Sequence, residues 1–142
     1  MIQLIGYDTK LLNAKTSFGT WLHIAAKKGN FDIVKFLVEE GIDIDARGGT
    51  FDSSALNLAA GSSYLDIVKY LVRAGAELDV SLAKRNPLFG AIYGGHKNVV
   101  EFLSEKGIDI SIRYTGENIK NMNAYEYAIE FGKAEIAEYL IR

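Results

Sequence analysis

Few side chains in this 142-residue sequence combine the type and the spacing that catalysis or metal binding requires. The chain has no cysteine, which excludes disulfides, thiolate metal ligands and cysteine nucleophiles. Its two histidines, His23 and His96, lie far apart in sequence, and neither has a second ligand at metal-binding spacing. A catalytic or metal-binding role is therefore disfavoured for both.

Glu101 and Glu105 stand four residues apart on a predicted helix and could in principle act as an acid and a base. Nothing in the sequence buries them so as to separate their pKa values, so a solvated outer face is the favoured interpretation. The pairs Gly48-Gly49 and Gly94-Gly95 do not open a strand-to-helix phosphate loop. With no hydrolase, zinc-protease or nucleotide-binding motif, we expect no catalysis and no cofactor.

The composition is that of one soluble globular domain, with 49% hydrophobic and 24% charged residues. A formal net charge of −2 disfavours nucleic acid as a partner, because binding to phosphates scales with the engaged lysines and arginines. No apolar run is long enough to span a membrane, and residues 1–8 do not read as a signal peptide. We expect a reducing, cytoplasmic setting, no membrane and no small-molecule substrate.

Four similar units follow one another along the chain. Leu22–Gly41, Leu56–Gly75 and Leu88–Gly107 each advance by 19 positions, and a fourth unit restarts at Tyr125. The steps from one block to the next are 15, 13 and 18 positions, so every length change falls between the blocks. This contrast separates a fixed scaffold from variable loops.

Each block predicts two antiparallel helices. The first helix of each unit follows a residue whose side chain can cap it, and these residues are Thr20, Ser54, Asn86 and Asn123. Pro87 suits a first helical position, and Asn123 with Glu126 has the spacing of a capping box. An apolar stripe over residues 33–38 predicts the second helix, which Gly41 ends. The alternating segments 42–45 and 108–112 then predict short β-like fingers.

The segment Thr20–Ala26, followed by Gly29 and Gly41, resembles the ankyrin repeat, whose first helix opens T-P-L-H-x-A-A. The resemblance implies an all-α repeat solenoid of stacked antiparallel helix pairs with short β-hairpin fingers, used for protein binding. It also places both histidines where the imidazole packs or satisfies loop backbone. The expected organisation is one domain over residues 1–142, with an N-terminal cap at 1–15 and repeats at about 16–48, 49–80, 81–113 and 114–142.

The sequence also departs from the family pattern. Ser63 stands where glycine is expected, and Trp21 stands where proline is usual, with packing favoured over ligand contact for its ring. Tyr125 replaces leucine, so unit four is either a degenerate C-terminal cap or an incompletely covered repeat. Apolar residues that could cover the open end of unit one are Ile2, Leu4, Ile5, Leu11 and Leu12. The alternative is that residues 12–15 are the tail of a preceding repeat.

The resemblance also predicts which residues contact a partner protein. On the fingers they are Arg47, Phe51, Arg85, Arg113 and Tyr114, and on the first helices facing a concave groove they are Lys27, Lys28, Tyr93, Glu130 and Phe131. For Phe51, Tyr93 and Phe131, packing between repeats is an equal alternative to partner contact.

The arginines suggest that the partner offers an acidic or carbonyl-rich strip to the fingers. The longest finger, residues 113–121, adds chain that the fold does not need and is the expected binding loop. Within protein binding, a general adaptor and a dedicated inhibitor of one enzyme, such as the immunity protein of a bacterial toxin, both remain open.

Overall fold

The computed structural model describes residues 9–141 of the chain. A short helix α1 (Thr9–Leu12) precedes four helical pairs. The pairs are α2 (Trp21–Lys28) with α3 (Phe31–Glu39), α4 (Ala55–Gly61) with α5 (Leu65–Arg73), α6 (Pro87–Gly94) with α7 (Lys97–Glu105), and α8 (Ala124–Glu130) with α9 (Ala134–Leu140). The predicted all-α repeat architecture, with two helices in each unit, is confirmed.

Polar side chains cap the first helices of units two, three and four, as predicted. The side chains of Ser54 and Asn86 accept hydrogen bonds from backbone N–H groups in the first turns of α4 and α6. Asn123 and Glu126 exchange side-chain to backbone bonds and form the predicted capping box. Thr20 differs, because its N–H donates to the His23 ring at 3.0 Å.

The helices form two layers around one continuous core. The first helices α2, α4, α6 and α8 pack against one another in chain order, and so do the second helices α3, α5, α7 and α9. Leu22, Leu56 and Leu88 are almost completely buried in this core. Ala26 and Ala60 are fully buried, and their small side chains allow the first helices to approach closely. Each unit therefore buries its apolar surface against its neighbours.

The predicted β-hairpin fingers are not confirmed, because no strand occurs between residues 9 and 141. We define fingers 1 to 4 as residues 16–19, 48–53, 81–85 and 114–122. Fingers 1, 2 and 4 are each closed by a single isolated β-bridge, whereas finger 3 contains a 3₁₀ turn. These loops are too short, or too irregular, to extend a bridge into a ladder.

The start of the described chain packs on unit one. Leu12 is buried, and the side-chain oxygen Oδ1 of Asn13 accepts a hydrogen bond from the Asp43 N–H at 2.9 Å. Trp21 is half-buried against the core, as predicted for a packing role. The cap residues Ile2, Leu4 and Ile5 lie outside the described residues.

Ser63 occupies a left-handed backbone position, with φ of +65°. The equivalent residues in the other units are glycines with nearly the same angle: Gly29 at +74°, Gly95 at +75° and Gly132 at +71°. A side chain at this angle crowds the backbone, which costs about 1–2 kcal/mol. The sequence departure at Ser63 therefore leaves a local strain in unit two.

Replacing Ser63 with glycine is expected to stabilise the protein by about 0.5–1 kcal/mol, because relief of the strain exceeds the added entropy of the unfolded chain. Urea unfolding measures the free-energy difference. The matched control is Ser62→Gly at the adjacent residue, whose φ of −101° carries no such strain and which should destabilise. Equal effects of the two substitutions would contradict this account.

Candidate functional site

The residues expected to bind a partner lie in a finger, one position before a finger (Arg47 and Arg113), or at the last turn of the first helix of a unit. We call this surface the inner surface, and it consists of fingers 1 to 4 with residues 27–28, 61–62, 93–94 and 130–131. Lys27, Lys28, Tyr93 and Glu130 are exposed there, and Phe131 is half-buried. The repeat places these side chains at equivalent positions of successive units.

In units one and two, the side chain at the third position of the first helix forms a hydrogen bond to the finger of the next unit. The His23 ring is buried, with Nδ1 accepting the Thr20 N–H and Nε2 donating to the Ser53 carbonyl oxygen at 2.7 Å. In unit two Asn57 takes this position, and its Nδ2 donates to the Lys84 carbonyl oxygen at 3.0 Å. The imidazole therefore satisfies loop backbone, as expected from the family resemblance.

His96 also has a structural contact. Its Nε2 lies 3.0 Å from the carbonyl oxygen of Gly61, at the end of the first helix of the preceding unit. The two histidines thus bridge adjacent units in opposite directions along the chain.

Tyr114, predicted as a contact residue, supports the structure of the fold. Its hydroxyl donates to the Val80 carbonyl oxygen at 2.5 Å and accepts from Asn86 Nδ2 at 3.1 Å. Its ring packs edge-on against Phe89, with 5.0 Å between centroids. Burial raises the pKa of the Tyr114 phenol, which keeps the hydroxyl protonated and able to donate.

An aromatic chain runs from this buried contact to the inner surface. Phe89 lies 4.8 Å from Tyr127, Tyr127 lies 4.6 Å from Phe131, and Phe131 lies 5.4 Å from Tyr93, between ring centroids. The terminal ring, Tyr93, is 62% exposed. Each ring packs against the next and restricts its rotation, so the exposed Tyr93 ring is supported by packed aromatic side chains.

The finger arginines are paired within the chain. Arg47 lies 3.3 Å from Asp79 and Arg85 lies 3.1 Å from Asp52, between side-chain nitrogen and oxygen atoms. The Arg85 Nε also donates to the Asp52 carbonyl oxygen, and this aspartate has a left-handed φ of +48°. Arg85 therefore joins finger 3 to finger 2, and Arg47 joins the residues just ahead of these two fingers.

Arg113 makes the corresponding contact within unit four. It lies 2.6 Å from Glu126 and also donates to the side chain and the carbonyl oxygen of Asn121. The Asn123 N–H, and then Arg113, lower the pKa of Glu126, so this carboxylate stays charged. Finger 4 is thereby fixed to the start of α8.

Two exposed apolar residues at fingertips escaped prediction from the sequence. Phe18 in finger 1 is 72% exposed and Leu82 in finger 3 is 41% exposed, beside the predicted Phe51 at 49%. The sequence does show one large apolar residue in each of these three loops, ahead of the residue that caps the next helix. Its distance from the cap differs by one or two residues between units, so the three residues do not align in the repeat pattern.

Among residues 9–141 no group of three histidine, aspartate or glutamate side chains is placed to hold a metal ion. An open depression of about 390 Å³ lies between finger 4 and α8, bordered by Lys120, Met122, Tyr125 and Ile129 among others. No helix of the described residues is long and apolar enough to cross a membrane.

A family model for ankyrin repeats matches the chain in three overlapping copies, at residues 1–81, 22–114 and 78–142. Together these matches extend over the whole sequence. No curated protein matches the chain.

The Tyr114 hydroxyl is expected to contribute about 1–3 kcal/mol to stability, because its removal leaves Val80 and Asn86 with lost hydrogen bonds. Tyr114→Phe should lower the free energy of unfolding by that amount. Tyr93→Phe is the matched control, since its hydroxyl is on an exposed ring and should change stability by less than about 0.5 kcal/mol. Equal losses would show that the buried contacts of Tyr114 carry no special weight.

Acid is expected to destabilise the fold at His23, because protonation of Nδ1 removes the acceptor of the Thr20 N–H. Burial lowers the pKa of His23, and the Ser53 carbonyl opposes this only in part. The unfolded chain therefore binds a proton below about pH 6.5 more readily than the folded chain, so stability falls as the pH decreases. Urea unfolding between about pH 7.5 and 5.5 should show this decrease, and His23→Asn should reduce it. Parallel pH profiles for the two proteins would refute the assignment.

Proposed function

Because the chain belongs to the ankyrin-repeat family, whose repeats generally act as protein–protein interaction modules, we propose that it binds a partner protein through its inner surface and catalyses no reaction. The observation that carries this proposal is Tyr93, an exposed aromatic ring at the end of a packed aromatic chain. A large side chain ordered before binding loses little entropy when a partner covers it. Tyrosine is also enriched among interface residues that dominate affinity.

The residues around Tyr93 divide into contact and support roles. Phe131 braces the Tyr93 ring and extends its apolar surface, while Glu130 is exposed beside it. Lys27 and Lys28 are exposed on α2 and form no ion pair with any residue from 9 to 141. We assign these five residues and the exposed Phe51 to partner contact.

The remaining predicted site residues act through the fingers. Arg47, Arg85 and Arg113 fix neighbouring loops by ion pairs, and Tyr114 fixes finger 4 to unit three. A finger held from both sides keeps its exposed side chains in place when a partner approaches. In this proposal the four residues preserve the shape of the binding surface.

The test is affinity capture with quantitative mass spectrometry, using the whole chain as bait. Tyr93→Ser and Lys27→Glu should each reduce recovery of the specific partner about tenfold or more, because both change the centre or the charge of the contact. The matched control is Lys35→Glu, an equally exposed lysine on α3, outside the inner surface. Unchanged recovery with both inner-surface variants would refute the proposed surface.

The captured material also distinguishes the two roles open to a binding module. A single enzyme recovered in one-to-one ratio, and inactive when bound, would establish the narrower inhibitor role, of which a toxin immunity protein is one example. Several partners with weaker binding would establish an adaptor. Catalysis of a reaction by the purified chain alone would contradict the proposal that it is not an enzyme.

A further inference from the structure

One position of the first helices is exposed in unit four and buried in the other three units. It is occupied by Ala26, Ala60 and Ile92 in units one to three, and each of these residues is completely shielded from solvent. In unit four the same position is Ile129, which is 55% exposed. Isoleucine therefore stands at this position in two units, and it is buried in one of them and exposed in the other.

The packing around the first helices explains this difference. α6 packs against α7 of its own unit and against α4 and α8 of the two adjacent units. α8 packs in the same way against α9 and α6, and its opposite side is the one on which each of units one to three packs against the next unit. Ile129 thus belongs to a surface that the repeat covers elsewhere with another first helix.

This exposed side of α8 has an apolar centre. We call it the end face and define it as Lys120, Met122, Tyr125, Ile129 and Glu130, which all border the depression of about 390 Å³. Tyr125 and Ile129 are one helical turn apart, so they lie on the same side of α8. Tyr125 stands where units one to three have almost completely buried leucines. Because burial of apolar surface stabilises association, this centre favours a partner that excludes water from it.

Two opposite charges border the apolar centre without an ion pair. Lys120 and Glu130 are exposed, and neither forms an ion pair with another described residue. Glu126 also borders the depression, but its charge is matched by Arg113 at 2.6 Å. The charges of the end face therefore balance, which favours a self-complementary partner over a strongly charged one.

The other described charges of unit four lie away from the apolar centre. Glu135 and Glu138 border a separate depression together with Lys97 of unit three. The Lys133 ammonium lies beside unit three, and Glu117 is exposed in finger 4 but does not border the end-face depression. Like charges of two copies are therefore not brought together when two end faces meet.

The order of the groups along the chain makes the end face complementary to itself. Lys120 lies ahead of α8, on the side of Met122, and Glu130 is the last residue of α8, next to Ile129. A two-fold axis perpendicular to α8 places the helices of two copies antiparallel, so the start of one lies beside the end of the other. Each Lys120 then faces Glu130 of the second copy, on either side of the apolar centre.

We propose that the chain forms a two-fold dimer through its end face, with the α8 helices of the two copies antiparallel. Tyr125 and Ile129 of each copy pack against those of the other, and Lys120 pairs with Glu130 at both edges. The dimer presents two inner surfaces, so a partner with two binding segments is held at both. Dimerisation itself does not depend on the proposed binding function.

Sedimentation equilibrium of the full chain, from about 1 μM to about 1 mM, tests for the dimer. The weight-average mass should rise from 15.7 kDa towards twice that value and no further. A mass that stays at 15.7 kDa up to about 1 mM would overturn the proposal and leave the binding function in place. Growth beyond the dimer would also overturn it, because head-to-tail contacts do not close in this way.

Ile129→Ser should weaken dimerisation at least tenfold, because it removes apolar surface from the centre of the contact in both copies. The matched control is Tyr93→Ser, which truncates a side chain of similar exposure on the inner surface and should leave the dimer unchanged. Circular dichroism checks that both variants keep the fold. A dimer that is insensitive to Ile129→Ser would contradict the proposed contact.

Charge reversal tests the antiparallel arrangement. Lys120→Glu and Glu130→Lys should each weaken the dimer about tenfold, because each places like charges opposite one another at both edges. An equimolar mixture of the two variants should restore dimerisation, since a mixed dimer regains both attractive pairs. Association that the single variants do not weaken, or that mixing does not restore, would refute this arrangement.

Discussion

Fingers 2 and 3 depend on side chains of the first helices for part of their hydrogen bonding. A β-ladder would pair the backbone groups of a finger with one another, but the described fingers have at most one bridge each. Ser53 is fully buried, and its carbonyl oxygen accepts from the Gly48 N–H within finger 2 and also from His23 Nε2. In the next unit Asn57 donates to the Lys84 carbonyl oxygen of finger 3. The first-helix layer therefore holds fingers 2 and 3 in place.

The same dependence determines the electrostatics of the inner surface. Arginine has five donors in a fixed planar arrangement, which suits it to bind a carbonyl and a carboxylate at once. Arg85 does this with Asp52, and Arg113 does it with Asn121 and Glu126. These arginines thus replace the hydrogen bonds that a longer hairpin would have made. Their charge is used inside the chain, so the proposed binding function assigns recognition to apolar side chains and to lysines without an ion pair among the described residues.

The sequence predicts the helical scaffold well and the fingers poorly. Caps such as Asn123, and the glycine position occupied by Ser63, are local patterns that are visible within a few residues. The alternation in residues 42–45 predicts a short β-like finger, but in the structure it has another cause. Ile42 is buried in the core, and Asp45 accepts the Glu77 N–H of the next unit at 2.8 Å. Buried apolar residues alternate here with aspartates that accept backbone N–H groups, and this gives the sequence a period of two without any strand pairing.

Arg85 and Tyr114 show the same limit, because their roles depend on contacts 28 to 34 positions away. No local pattern reveals that Arg85 is paired with Asp52 or that the Tyr114 hydroxyl reaches Val80. The sequence could therefore predict candidate surface residues, but not which of them already form ion pairs or hydrogen bonds within the chain.

Unit three differs from the preceding units in a way that links the fold to the surface. Phe89 occupies the position of His23 and Asn57, and an aromatic ring cannot donate to a finger carbonyl. Tyr114 instead links finger 4 back to the chain ahead of finger 3, with its ring on Phe89 and its hydroxyl on Val80. Once Phe89 fills this position, its other face is covered by Tyr127, which orders Phe131 and so Tyr93. The exposed aromatic contact is thus a packing consequence of replacing a polar donor in the core.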